Sequence, residues 1–501
     1  MNNAFGFFYP LKKRIHMKKL VIVSILAFFS HAELRAQTDI DALRYSLPGL
    51  AGSARSTSMG GAFGALGGDF SSLAGNPAGI AIYRKSEFVF SPSIFVGGTE
   101  SNFLGNTDQE NKFNFNFGNI GIVLTNKLTN NEDGPGWKSW NFGFGYNRVN
   151  NFNNRSYFEG FNPSNSLTRY FSEQAQGTIP DDLEQFHELL AYNTYLINPL
   201  GNSTDYEPAV LAGNITQRMN DETSGSKGEV DFSFGGNYSN KLYLGATLSF
   251  TTLRFNEESV YEEIDKTDVI DSLKSFEFDQ DLHTRGSGFN LKLGMIYRVN
   301  EHVRMGLAVH TPTWYGMHDD YTNAISSRFD AGQHYSSDAS GSFDYTLTTP
   351  FKAIGSLAFI LGNQGLLSFD YEFTDPSDAR IDANHFSFAD VNSAIRTKYI
   401  PVNTFHAGAE WRIDDYSLRG GYVYSSSPMN SRFRVSGNDF SKNSICAGIG
   451  VRDKNLSIDL GYVYALSNQY FQPYLLSSES VPGVYQKVKN NNFTLTFGIK
   501  F

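Results

Sequence analysis

The sequence predicts an all-β protein: a fourteen-stranded antiparallel transmembrane β-barrel with an N-terminal plug inside its lumen. Three observations predict it. First, segments of about ten residues alternate apolar and polar side chains along most of the chain, the length and period of a tilted membrane strand. Second, the connections between these segments alternate between short and long, as in a barrel with short inner turns and long outer loops. Third, the composition fits. The 501 residues include 47 Gly, 43 Phe and 27 Tyr, and only 18% are charged, against about 25% in ordinary globular proteins. The mean hydropathy of −0.33 excludes a helical membrane bundle, whereas a barrel shows lipid only every second residue. An aromatic content of 15% excludes disorder. A net charge of −10 without a basic run argues against nucleic-acid binding. A single cysteine, Cys446, excludes an internal disulfide framework and a multi-cysteine metal site.

The elements follow in order. Residues 1–36 read as a secretory signal. Met17-Lys18-Lys19 precedes the apolar run Leu20 to Phe29, and small residues follow. The run is too short to cross a bilayer as a helix. Met17 is the better translation start, cleavage after Ala36 leaves Gln37 first, and Ser30-His31-Ala32 is a second candidate cleavage site. Residues 37–85 do not alternate. Nine glycines lie from Gly49 to Gly79, among Leu50, Met59, Phe63, Leu66, Phe70, Leu73, Ile80 and Ile82. That is too apolar for a solvated linker and too glycine-rich for an independent core, so a compact plug is expected.

Residues 86–501 form the barrel. The expected strands are 86–98, 113–125, 138–149, 228–239, 241–256, 286–298, 302–312, 351–362, 365–375, 403–413, 416–426, 443–452, 456–467 and 490–501. The last is the clearest, with Phe493, Leu495, Phe497, Ile499 and Phe501 on one face. The expected long loops are 99–112, 150–227, 257–285, 313–350, 376–402, 427–442 and 468–489. Loop 150–227 is too long to lack structure. Ser166–Leu200 has helical spacing, and within it Leu183, Phe186, Leu190 and Tyr195, after the start signal Thr178 to Asp182, suggest a helix. The loop either caps the barrel or forms an apolar lid over a ligand entrance. The candidate ligand-binding residues are Phe161, Leu167, Tyr170, Phe171, Phe186, Leu189, Leu190, Tyr192 and Leu196, with Arg169 placed to pair a carboxylate head.

No G-x-S-x-G elbow and no H-E-x-x-H spacing occurs, so no catalytic residue, metal ligand or cofactor is expected. His310 and His406 share the inward parity of their strands with Arg298, Arg304, Arg412, Glu410, Asp370, Glu372, Asp459 and Lys500. The two signs are mixed, which favours a salt-bridged lumen anchoring the plug over an acid/base site. For haem, which needs an axial His or Tyr, the candidate is His187, near Tyr192 and Tyr195.

Ser58-Met59-Gly60-Gly61-Ala62-Phe63, then Asn76-Pro77-Ala78-Gly79, ahead of a barrel ending in Phe501, resembles the FadL/TodX family of outer-membrane transporters of fatty acids and other hydrophobic compounds. The version here is similar to the Bacteroidetes branch often labelled haemin receptor. The resemblance covers the whole mature chain. It implies an N-terminal hatch carrying Asn76, Pro77 and Ala78. It implies loop capture of a hydrophobic ligand, and a lateral opening in the wall near the third strand, mapped onto Gly143 and Gly145. It also implies a carboxyl-terminal assembly signal, Phe501, read by barrel-assembly machinery. The expectation is a monomer in the outer-membrane lipid that takes up hydrophobic compounds such as long-chain fatty acids passively. The alternative on the same scaffold is a secretion or assembly accessory, or a haemin-binding receptor.

Overall fold

The computed structural model describes residues 37–128, 134–201, 203–434 and 440–501. The expected export segment 1–36 lies outside the described residues. Fourteen strands make the barrel: β1 (Glu87–Phe103), β2 (Asn106–Lys127), β3 (Trp137–Asn151), β4 (Ile215–Tyr238), β5 (Leu242–Ile264), β6 (Leu273–Arg298), β7 (Val303–His310), β8 (Lys352–Leu361), β9 (Gly365–Thr374), β10 (Val402–Ile413), β11 (Tyr416–Ser425), β12 (Lys442–Asp453), β13 (Leu456–Phe471) and β14 (Val484–Lys500). Each pairs antiparallel with the next, and β14 pairs back onto β1 from Glu87↔Lys500 to Asn102↔Tyr485, which closes the sheet. Closure removes the unpaired edge that lipid could not satisfy.

Alternation sorts the two faces. Phe142 and Phe144 of β3 and Phe232 and Phe234 of β4 point outward and stay exposed, while Gly143, Gly145, Asp231 and Ser233 point in. Trp137 packs against Trp140 and edge-on to Tyr238 at the short-turn end, and Trp411 and Tyr416 flank the turn between β10 and β11 there. This is the aromatic girdle expected at a membrane interface.

The outer connections depart from the expected loops. β1 and β2 run on to a two-residue turn at Leu104-Gly105, both with positive φ (49° and 89°), so the expected loop 99–112 is a tight hairpin. β5 and β6 likewise extend through most of 257–285. Segment 313–350 is a further hairpin, Trp314–Phe329 with His334–Thr348, laid along the outer half of β6. Within 150–227, a strand Asn154–Asn162 precedes helices Leu167–Ala175 and Glu188–Asn193. The start signal at 178–182 initiates only the 3-10 turn Pro180–Asp182, and the helix begins six residues later.

Residues 37–82 fill the lumen and are fastened around its circumference. The Ala54 amide donates to Thr496 of β14 (2.7 Å) and the Gly64 amide to Asp370 of β9 (2.8 Å). His310 of β7 donates to the Gly75 carbonyl and His406 of β10 to the Gly60 carbonyl, both at 2.7 Å. Arg55 of the plug pairs with Glu410 (2.8 Å), which also holds Arg412 (2.7 Å) and Arg419 (2.8 Å). The mixed-sign inward charges therefore hold the plug. Inward glycines make the room. A Cβ on Gly245 would lie 2.3 Å from Pro77, and one on Gly294 2.0 Å from Asn76 Oδ1. Asn76 caps the turn Pro77–Ile82 by accepting from the Ala78 amide, and donates to the Gly64 carbonyl (2.6 Å).

Candidate functional site

Among the described residues, three cavities bear on a route from the outer end to the wall. The outermost, about 920 Å³, sits between the loop helices, the outer hairpin and the helix Asp39–Ser46. Asp41 caps that helix by accepting from the Thr38 amide and hydroxyl, and Tyr45 sinks among Phe152, Phe255 and Tyr315. The helix thus forms the floor of the outer cavity. Gln37 at its start donates to Asp319 of the outer hairpin (2.8 Å), and Asp39 binds Lys398 and Tyr399 (2.9 and 2.8 Å).

Tyr170, Phe186, Tyr321 and Phe343 line the outer cavity with Glu184, Glu188, Glu257 and Arg44. Burial holds the Glu188 carboxyl above the usual carboxylate range, with Glu184 adding to the effect.

The second cavity, about 190 Å³, lies beside the plug and mixes apolar with charged lining. Lys227, Glu229, Lys292, Lys352 and Glu372 reach it from the wall. The third, about 70 Å³, lies between the plug limb Gly49–Gly52 and the inner face of β2, β13 and β14. Gly49, Leu50, Ala51 and Gly52 line both, so this short limb separates them.

Next to the third cavity the wall is interrupted. β2 pairs with β3 from Lys127↔Ser139 only to Asn119↔Asn147. Further out, residues 106–118 of β2 keep their ladder to β1 alone. β3 shifts register between Arg148 and Asn150, and the strand that follows it, Asn154–Asn162, continues the ladder on β4 from Asn154↔Thr223 to Asn162↔Ile215, with Phe158 against Phe103 at 4.6 Å. Side chains bridge the seam, such as Lys112 to the Thr223 carbonyl (2.9 Å). Phe113, Phe115 and Phe117 face outward along it.

The residues expected from the sequence fall in several places. Tyr170 and Phe186 line the outer cavity. Leu167, Phe171, Leu190 and Leu196 form the dry interior of the cap, with Leu189 and Tyr192 against it. Phe161 is 46% exposed and turned away. Arg169 is engaged by Glu479 (2.5 Å) and Ser478 (3.2 Å) and does not reach the cavity. Gly143 and Gly145 sit in unbroken ladders to both neighbours. They are small because Leu73 and Phe70 of the plug press on them, and the break in β3 lies beyond Asn147. His187 offers haem no free nitrogen: Nδ1 meets Glu184 at 3.0 Å and Nε2 faces Asn323 at 3.5 Å. Phe501 follows β14 and donates its amide to the Ser86 carbonyl. Asp41, Arg44, Glu257, Tyr321 and Phe343 were not expected. Alternation within 314–329 and 334–348 was the available signal for the last two, because it marks Tyr321 and Phe343 as members of a hairpin rather than of a loose loop.

The geometry defines a plugged barrel with an outer cavity and an interrupted wall. No protein-family profile matches the chain, and no curated protein does. Solved structures do match. A Pseudomonas aeruginosa FadL homologue superposes with a TM-score of 0.57 at 11% identity, over 91% of this chain and 100% of that one. The Pseudomonas putida toluene transporter TodX superposes at 0.52 with 13% identity, over 90% and 99%. The chain has the fold of these two barrels, as the motif resemblance implied.

Proposed function

We propose that the protein lies in the outer membrane as a monomer and admits hydrophobic small molecules passively, without catalysis. Long-chain fatty acids were the example the sequence suggested, and a toluene transporter of the same fold supports the broader hydrophobic class. The route starts in the outer cavity and passes the helix Asp39–Ser46. It then follows the limb Gly49–Gly52 to the seam between β2 and β3, where the ligand leaves sideways into lipid. Residues 37–85 act as the hatch, with the Asn76-Pro77-Ala78 turn as its seat on β5 and β6. Phe501 serves as the signal read by the assembly machinery.

One observation carries the reading: the lumen is filled, yet the wall ladder stops at Asn119↔Asn147 beside a cavity and a row of outward phenylalanines. A filled lumen is of no use to a porin. A lateral gap bordered by apolar side chains suits a solute that prefers lipid to water. The test is conductance in planar bilayers. The full chain is expected to stay silent and a chain lacking residues 38–85 to conduct. Porin-like conductance by the full chain contradicts the reading.

A further inference from the structure

We propose that the outer cavity receives a cationic amphiphile, an ammonium or guanidinium head on an apolar body, in preference to a carboxylate. The inference rests on the uptake reading for the onward route, but not for the binding itself.

Charge is the first observation. Seven carboxylates line the cavity, against one arginine and His187. The arginine is already committed: Arg44 pairs with Asp41 at 2.7 Å and lies over the Phe255 ring at 4.2 Å. Arg169, the natural partner for a fatty-acid head, is turned away to Glu479. An entering carboxylate would meet like charges without a counter-ion.

Unmet hydrogen-bonding capacity is the second, independent observation. Glu188 and Ser259 both line the cavity, and their Oε2 and Oγ atoms, themselves buried, lack a partner. The two residues are only 7% exposed. A buried acceptor without a donor is costly, and a carboxylate oxygen more so than a neutral one. A guest N–H that carries positive charge can pair with the Glu188 carboxylate, to whose Oε2 no other side chain among the described residues donates. The walls fit the same guest: Tyr170, Phe186, Tyr321 and Phe343 offer ring faces, which attract cations and also accept an apolar body. At about 920 Å³ the cavity has room for such a head and a short chain.

The test compares three probes of equal chain length: hexylammonium, hexanol and hexanoate. The full-length protein is held in nanodiscs of zwitterionic lipid, and empty discs are subtracted. Calorimetry at neutral pH is expected to give hexylammonium at least about tenfold tighter binding than hexanoate, with hexanol between them. Glu188→Gln should reduce that gap to about threefold or less while the barrel keeps its heat-modifiable mobility. Hexanoate binding as tight as hexylammonium overturns the proposal, and so does a gap unchanged by Glu188→Gln in a folded barrel. If Glu188→Gln does not fold, Phe343→Leu decides: selective loss of hexylammonium binding supports the proposal, and equal losses for hexylammonium and hexanol overturn it. Outer-membrane entry of hexanol by intact cells is measured separately. Its failure with the binding preference intact contradicts the uptake route alone.

Discussion

At the scale of single residues, Glu410 is the hinge of the plug's attachment. Three guanidinium groups converge on one buried carboxylate, and Arg419 continues to Asp459 at 2.7 Å. Removing the negative charge leaves cations facing one another in the lumen. Glu410→Gln is expected to destabilise the plugged state by about 3–5 kcal/mol. Trypsin should then cut at Arg55 in the folded barrel, where the wild type resists. Asp319 carries a pH signature. Burial pushes its carboxyl up to about 6, with Asp41 adding and the Gln37 hydrogen bond opposing. The folded state therefore holds the proton more tightly than the unfolded state, whose value is 3.8. Stability from this group is complete below 3.8 and is lost as pH rises through about 6. Asp319→Asn should raise the heat-modifiability midpoint at pH 7, by up to about 2–3 kcal/mol of stability, and leave it unchanged at pH 3.5. Other residues could not be placed from the chain alone. Nothing near Arg169 in sequence announces Glu479, 310 positions away. The glycines of β3 read equally as a wall kink or as a seat, and only the plug's Leu73 and Phe70 decide for the seat.

At the scale of elements, all fourteen strands were visible because lipid on one face and the plug on the other enforce alternation. The outer halves were not. β6 reads Glu277-Phe278-Asp279-Gln280-Asp281 above the membrane, where both faces meet water or polar neighbours and period two fades. The loop helix was misplaced because Pro180 favours a start but Leu183 already lies in extended backbone. The plug was expected from its composition, whereas its floor helix Asp39–Ser46 was not, since only Ala42, Leu43 and Tyr45 of its eight residues pack into an apolar cluster, too few to show periodicity. The β2–β3 ladder stops at Asn119↔Asn147, further out along β3 than Gly143 and Gly145. Asn116, 7% exposed, faces inward into the third cavity beside it. Asn116→Trp should fill that space. The expected result is slower entry of a hydrophobic solute by about tenfold or more with outer-cavity binding unchanged. Equal entry in a folded variant would place the exit elsewhere.

At the scale of the whole molecule, the barrel and plug form one device. Inward glycines such as Gly245 and Gly294, the histidines His310 and His406, and Glu410 of the wall all meet the plug. On the proposed reading, a polar solute finds the lumen shut, and an apolar solute finds a cavity and a gap that faces lipid. The central claim is this selectivity by polarity. It is tested most directly by expressing the protein in a Gram-negative host and timing the entry of two labelled solutes of similar size, one hydrophobic and one a sugar. The account predicts faster entry of the hydrophobic solute and unchanged entry of the sugar. Faster entry of the sugar with no change for the hydrophobic solute would contradict it.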